Sequence, residues 1–498
     1  MGDQDTTLDE AATIHLLRRT GFGATPKEID DLNGRSRGAA ADILVGFAPK
    51  GFKPAGKYIE NAQSKWLKYM VKSRTPLQEK LVLFWHDHFA TGYSKVQDVK
   101  RMSYQHQKIR LNCKGDMRVL VKAMNKDAAM IEWLDTRRNH KEIPNENYAR
   151  ELQELFTLGV NDLRGNPNYT QADVAQIARA FTGWSFFYSN SEVYFDGDDH
   201  DTNAEFSGDR GPKEIYGSFA DYTPNDKLGG FTGPQPFDNP EGETEIDQVT
   251  DIIFAHTDTD GANTVARRTT KRLLEFFCHG GWATPTNAQI AIIDDLIDDS
   301  DFDTTFNIQA LLRAIFVHDT FYETQPGHST LPTPPKSVKW PIDFIISTLR
   351  MTGLKGKGSD LTIEGGSYSS LRDHLEDMGM ILMDPPSVFG WDWEQSWISS
   401  ATLLARYRFA RDLMMNRRKF KPDKLMDITI QAAPAIVDAV LAVLGVAGHM
   451  SSAERDALID YLGGPSATLD FVADPSLRDE KLCGLFALVI ESPVFQTH

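Results

Sequence analysis

The start and stop signals of short amphipathic helices recur throughout this chain. "TPKEIDDL" opens with Thr25 placed as N-cap and Pro26 at the first helical position. "TPLQEKLVLFWHDHF" repeats the device at Thr75 and Pro76, with Gln78 set to complete a capping box. "NENYARELQELFTLG" runs from an Asn cap to a stop at Gly159, and "YTQADVAQIARAFTGW" from the box-like Thr170 and Asp173 to Gly183. Similar signals predict helices over 265–278, 287–298, 306–317, 337–352, 399–416 and 433–446. "SSAERDALIDYLGG" adds one more, between a Ser cap and a Gly pair. Strand-like runs do not alternate with these helices, so nothing asks for a parallel sheet. The expected fold is mainly α, a large multi-helix domain with a long loop or short β-hairpin insertion.

That insertion is read from composition. Gly, Asp, Asn and Pro dominate from about Tyr188 to Glu245, as in "DGDDHDTNAEFSGDRG" and "PNDKLGGFTGPQPFDNPEGETE". Three parts are therefore expected. Residues 1–187 form an N-terminal helical part with His, Glu and Arg motifs, 188–245 an acidic Gly/Pro-rich insertion, and 246–498 a C-terminal helical part packed on the first.

Charge narrows the partners. With 70 acidic against 53 basic residues the net charge is −17, which repels phosphate backbones and argues against non-specific nucleic-acid binding. Cys113, Cys278 and Cys483 are too few and too far apart for a disulfide framework. The longest apolar stretch, "AAPAIVDAVLAVLGVAG", carries Asp438 and a proline and is too short to span a membrane. The N-terminus "MGDQDTTLDEAA" lacks an apolar run, and Arg18-Arg19 precedes no hydrophobic segment. The expected location is cytoplasmic if the chain is full length, and extracytoplasmic if a leader has been removed.

Four stretches can carry chemistry. In "FWHDHF", His88 shares an arc with Leu77, Leu81, Phe84 and Trp85, whereas His86 lies about 160° away and leans towards the surface. Residues at i and i+2 do not face the same way, so a shared metal would need the helix to fray near His88. In "NENYARELQEL", Asn147, Arg150, Glu151 and Glu154 crowd an arc of about 100°. Such a cluster can bind a divalent cation or tune a catalytic acid. It can equally be a solvated face carrying Glu146–Arg150 and Arg150–Glu154 pairs of about 0.3–0.5 kcal/mol each. His200-Asp201 in "DGDDHD" and the run "HTDTDG" at 256–261 lack calcium-loop spacing and read as solvated acidic loops. "MDPPSVFGWDWEQSW" is either an aromatic wall for a flat, hydroxyl-rich ligand, with Asp384, Asp392 and Glu394 as its carboxylates, or a loop pinned by its tryptophans. G-x-S-x-G, H-E-x-x-H, a P-loop and a dinucleotide fingerprint are all missing from the sequence.

"HLLRRTGFGATPKEID", "LFWHDHFAT", "NENYARELQELFTLGV", "YTQADVAQIARAFTGW", "HD" at 200–201, "ARRTTKRLLEFF", "VKWPIDFIISTLR" and "DPPSVFGWDWEQSWISSATLLARYRFA" occur in that order. Together they resemble the bacterial family catalogued as domain of unknown function 1800, from about His15 to the C-terminus. Members often look exported and commonly neighbour a family similar to sulfatases and phosphatases, which implies work on an extracytoplasmic polymer. His86, His88, Glu146, Asn147, Arg150, Glu151, Glu154, His200, Asp201, Asp384, Trp391 and Trp397 match the family's motif letters. The departures are an enlarged acidic run before His200, Phe156 in place of a frequent histidine, and no leader peptide.

Two functional expectations follow, with a weaker third. The first is a metal-dependent hydrolase or oxidoreductase acting on a polar, carbohydrate-like substrate. His86, His88, Glu151, Glu154 and His200 would be its metal ligands, and histidine with carboxylate suits Fe, Mn or Zn. Glu151, Arg150, His88 and Asp201 would be its catalytic groups, with Asn147, Trp391, Trp393, Trp397 and Asp384 on the substrate. The second is a non-catalytic glycan-binding or assembly protein whose polar clusters are buried networks. The third is a regulatory scaffold that docks through 188–245.

Overall fold

The computed structural model describes residues 4–54, 56–201, 213–220, 235–236, 240–324, 337–354, 371–416 and 420–498, with the backbone alone at 219–220, 235–236 and 240–244. Helix is the dominant element and strand a minor one, so the core is helix packed on helix. Most of the predicted caps hold. Thr25, Thr170 and Ser451 each close a capping box, on the helices Pro26–Leu32, Gln171–Ala180 and Ser452–Tyr461. Each such cap is worth about 1 kcal/mol. Gly159 and Gly183 take the left-handed backbone that ends their helices.

Two caps differ. The helix Asn147–Glu151 starts from Glu146, whose side chain makes no cap bond, so the expected Asn cap does not form. The other is Thr75. Its side chain makes no cap bond to the helix Pro76–His88. Gln78 turns inward instead, accepting the Lys50 N–H at 3.1 Å and donating to the Lys50 carbonyl at 2.9 Å. The predicted capping box is thereby corrected, because a buried tertiary partner takes the side chain that the local motif reserved.

Strands are confined to the middle of the chain. Trp184–Phe186 and Val193–Phe195 pair antiparallel, with Trp184 opposite Phe195, and Gln235–Pro236 adds a short third strand. A second hairpin joins Lys213–Ile215 to Ser218–Ala220 through Tyr216 and Gly217, both at positive φ as a tight hairpin turn requires. Of the expected insertion 188–245, the runs 202–212, 221–234 and 237–239 lie outside the described residues. Its last residues already belong to the helix Pro240–Phe254.

Buried cations tie distant segments together. Arg18 donates to the Gly445 and Thr497 carbonyls, Arg19 to those of Phe276 and Phe277, and His15 bonds the Phe321 carbonyl. Among the described residues no helix is long and apolar enough to cross a membrane.

Candidate functional site

The helix Pro76–His88 is buried on every side from Leu77 onward. The helices Glu10–Thr20, Ile59–Lys72 and Val99–Asn112 pack around it. His86 is consequently 1% exposed, which corrects its predicted place near the surface. Its ring lies 5.5 Å from those of Trp66 and Trp391, and neither ring nitrogen has a hydrogen-bond partner among the described residues. Burial pushes its pKa down to about 4. His88 is also buried, as its apolar arc predicts, and its Nε2 meets the Phe156 carbonyl at 3.0 Å. Burial first, then Arg272 and Arg268, push its pKa down to about 3. Both imidazoles are therefore neutral near pH 7. His88 touches the Phe156 carbonyl, which any residue at 156 would supply.

Asp87, between the two histidines, was missed by the sequence reading. Its carboxylate accepts the Trp391 N–H at 2.7 Å and the Trp393 Nε1–H at 3.1 Å, with an Arg272 nitrogen 3.7 Å away. Burial raises its pKa to about 6 against the pull of Arg272. Gly390, at φ +83°, lets the backbone come this close, since a Cβ there would sit 2.3 Å from Asp87 Oδ1. "HDH" and "FGWDW" are thus two halves of one contact. Glycine and indole donors in the distant loop were the only sequence signal for it.

The tryptophan loop is pinned, not open. Trp391 and Trp397 are about 5% exposed and pack on Trp340, with ring centroids 6.3 and 5.9 Å away. Trp393 is half-buried, between Trp340 and the Arg272 guanidinium. Buried rings cannot stack on a sugar, so the predicted wall is corrected for Trp391 and Trp397. Asp384 accepts the Ser94 N–H at 2.9 Å, and Glu394 holds Ser337 and Val338. Both carboxylates fasten the loop down.

His200 and Asp201 belong to a second buried network. Asp201 pairs side-on with Arg179 at 3.0 and 3.2 Å. His200 Nδ1 contacts Thr182, and its Nε2 lies 2.8 Å from a Glu245 oxygen. The other Glu245 oxygen takes the Lys213 ammonium at 2.6 Å. Helix Gln171–Ala180, the second hairpin and helix Pro240–Phe254 are locked together by these charges. The acidic run 256–261 is largely exposed, as expected, but two of its carboxylates are held by Arg267. Arg267 pairs with Asp258, Asp260 and Asp294 at 2.6–3.0 Å.

The carboxylate cluster is the part left open. The helix Asn147–Glu151 passes into a π-helical turn, Leu152–Thr157, a deformation often found at functional sites. Arg150 bonds Glu146 at 3.1 Å and Gln171 at 2.8 Å, so the expected Arg150–Glu154 pair is replaced. Glu154 accepts the Tyr169 hydroxyl at 3.2 Å. Glu151 is half-buried and has no hydrogen-bond or ion-pair partner among the described residues. Burial first, and then Glu154, raise its pKa, while Arg150 opposes them. Asn147 is exposed at the helix start.

Among the described residues no three His, Cys, Asp or Glu side chains converge as a metal ion requires. His86, His88, Glu151, Glu154 and His200, expected as ligands, are therefore not gathered into one centre. His86 stands among aromatic rings, His88 against a carbonyl and His200 against Glu245.

Among the described residues the protein is a large, mainly α-helical body with buried polar clamps, in which the Glu151 and Glu154 side chains are only partly buried. A family model described as "Protein of unknown function (DUF1800)" matches residues 15–497, and the chain belongs to that family. No curated protein and no solved structure matches it.

Proposed function

We propose that this protein is an enzyme that transfers protons to and from a polar, carbohydrate-like substrate, with Glu151 as acid and Glu154 as base. One observation carries the reading. Among the described residues Glu151 is a half-buried carboxyl without a hydrogen-bond or ion-pair partner, beside a second carboxyl that has one. Neighbouring carboxyl groups resist ionising together, and the one in the drier place keeps its proton. Glu154, by contrast, already accepts the Tyr169 hydroxyl. Environments that push two carboxyl pKa values apart are how acid and base roles are divided in many hydrolases. Arg150 and Asn147 flank the pair and would hold substrate oxygens. The chemistry is bond hydrolysis, with Glu151 protonating the leaving oxygen and Glu154 taking a proton from water.

The test is release of new reducing ends from a panel of polysaccharides. Glu151→Gln should cut turnover at least 100-fold, in line with the loss of a general acid, and keep the wild-type unfolding midpoint. Wild-type rate should fall as pH rises through the raised pKa of Glu151. A Gln variant as active as wild type would end the proposal.

A non-catalytic binding or assembly role is the second reading. It is favoured by the number of motif residues occupied in clamps, namely Asp87, His88, His200 and Asp201. It would gain if Glu151→Gln failed to fold.

A further inference from the structure

A cavity of about 770 Å³ opens beside the start of the helix Pro76–His88, whose Glu79 lines it. Its wall is drawn from the helix Ile59–Lys72, the turn after it, the residues 50–51 and the end of the helix Val99–Asn112. Lys50, Lys65, Lys68, Lys72, Arg74 and Arg110 line it, with Glu79 as the one carboxylate. Glu79 is already taken, held by both Arg110 terminal nitrogens at 2.7 Å. The other five cations have no carboxylate partner among the described residues. In a chain with 70 acidic and 53 basic residues, this clustering runs against the overall charge.

Such a row repels itself. Burial and its neighbours Lys53 and Arg110 already lower the pKa of Lys65. Self-repulsion of this kind is relieved when an anion enters. A second observation points the same way. Ser64 lines the cavity, is 2% exposed, and its hydroxyl has no hydrogen-bond partner among the described residues. A buried hydroxyl left unpaired costs about 1–3 kcal/mol, which a ligand atom would recover.

We infer that this cavity binds an oligosaccharide segment carrying several oxyanion groups, uronate carboxylates or sulfate esters. Lys65, Lys68 and Lys72 recur at i, i+3 and i+7 along one helix face, a row about 10 Å long. That spacing suits charges spread along a chain better than charges gathered on one phosphate. The sequence has no glycine-rich phosphate loop, which weighs against a nucleotide. Ser64, Ser73 and Asn61 in the wall supply the neutral donors that hydroxyl-rich ligands need. Tyr69 offers an aromatic ring beside the Arg110 guanidinium, 5.1 Å away. The volume falls within the range of sites that hold small ligands.

Calorimetric titration of the full chain at 150 mM salt tests this. The probes are an oligogalacturonate, a sulfated oligosaccharide, a neutral maltooligosaccharide and inorganic sulfate alone. One of the two charged oligomers should bind at least tenfold tighter than inorganic sulfate or the neutral chain, and which one does so identifies the oxyanion. Lys68→Glu/Lys72→Glu, at exposed positions, should weaken that binding at least tenfold without moving the unfolding midpoint. Lys100→Glu/Lys424→Glu, with the same charge change elsewhere, should leave it within twofold, and so should Glu151→Gln. Equal loss in both lysine pairs would reduce the effect to net charge and overturn the site. Binding no tighter than that of inorganic sulfate would overturn it too. Because Glu151 takes no part, failure here is separate from failure of the catalytic proposal.

Discussion

At the scale of residues, polar side chains in the middle of this chain are governed by what covers them. His86 and His88 are held neutral, with pKa values near 4 and 3. As pH falls below about 6.5, the unfolded imidazoles take up protons that the folded ones refuse. Stability contributed by the pair is therefore lost on acidification, by about 3 kcal/mol for His86 alone. Asp87 works the other way. Its raised pKa means stability declines as pH climbs from about 4 to 6. His86→Leu should lie within about 1.5 kcal/mol of wild type at pH 7, since the imidazole makes no hydrogen bond among the described residues and the volumes are close. It should be the more stable protein at pH 4.5, by urea denaturation. His88→Ala should cost about 3 kcal/mol at pH 7 and markedly less at pH 4.5, where the wild type has already lost the stability that its neutral imidazole contributes. Gly390→Ala should cost about 3 kcal/mol, from left-handed backbone strain plus a collision with Asp87. A Gly390→Ala protein with unchanged urea midpoint would mean that the loop does not sit on Asp87. The histidines could be singled out from the sequence by their aromatic setting. The partner of Asp87 could not, because it lies 304 residues away.

At the scale of elements, local rules were right at several helix starts where no tertiary partner competed. The boxes at Thr25, Thr170 and Ser451 sit at helix starts where the side chain has nothing better to bind. At Thr75 the rule failed, because Gln78 satisfies a buried backbone at Lys50 and Arg110 instead. A buried backbone group left unpaired costs more than a lost cap. Thr75→Ala should therefore change stability by less than about 0.5 kcal/mol, and Gln78→Ala should cost about 2 kcal/mol. The reverse order in thermal or chemical unfolding would restore the capping box. The face drawn on an ideal helix at 147–154 fails for a related reason. The chain enters a π turn after Glu151, so the Arg150–Glu154 pair expected from 3.6-residue geometry does not form.

At the scale of the whole molecule, charge is sorted in a way that composition hides. A chain of net charge −17 gathers five cations that have no carboxylate partner among the described residues in one cavity and buries Arg18, Arg19 and Arg406 against backbone carbonyls. Arg19 joins the first helix to residues 276–277, and Arg18 joins it to 445 and 497. Arg19→Leu would leave two buried carbonyls without this donor and should lower the unfolding midpoint measured by circular dichroism and by tryptophan fluorescence together. Two separated transitions would show that the halves unfold independently. The sequence by itself determined the helical class, most helix starts and stops, and the family, because periodicity and capping are local and the motifs are contiguous. Tertiary structure alone decided which motif residues are free to do chemistry. It covered His86, Trp391 and Trp397, gave His200 and Asp201 buried partners, and left Glu151 half-buried without one among the described residues. Burial and partnership depend on segments hundreds of residues apart, and no local pattern encodes which of them will meet.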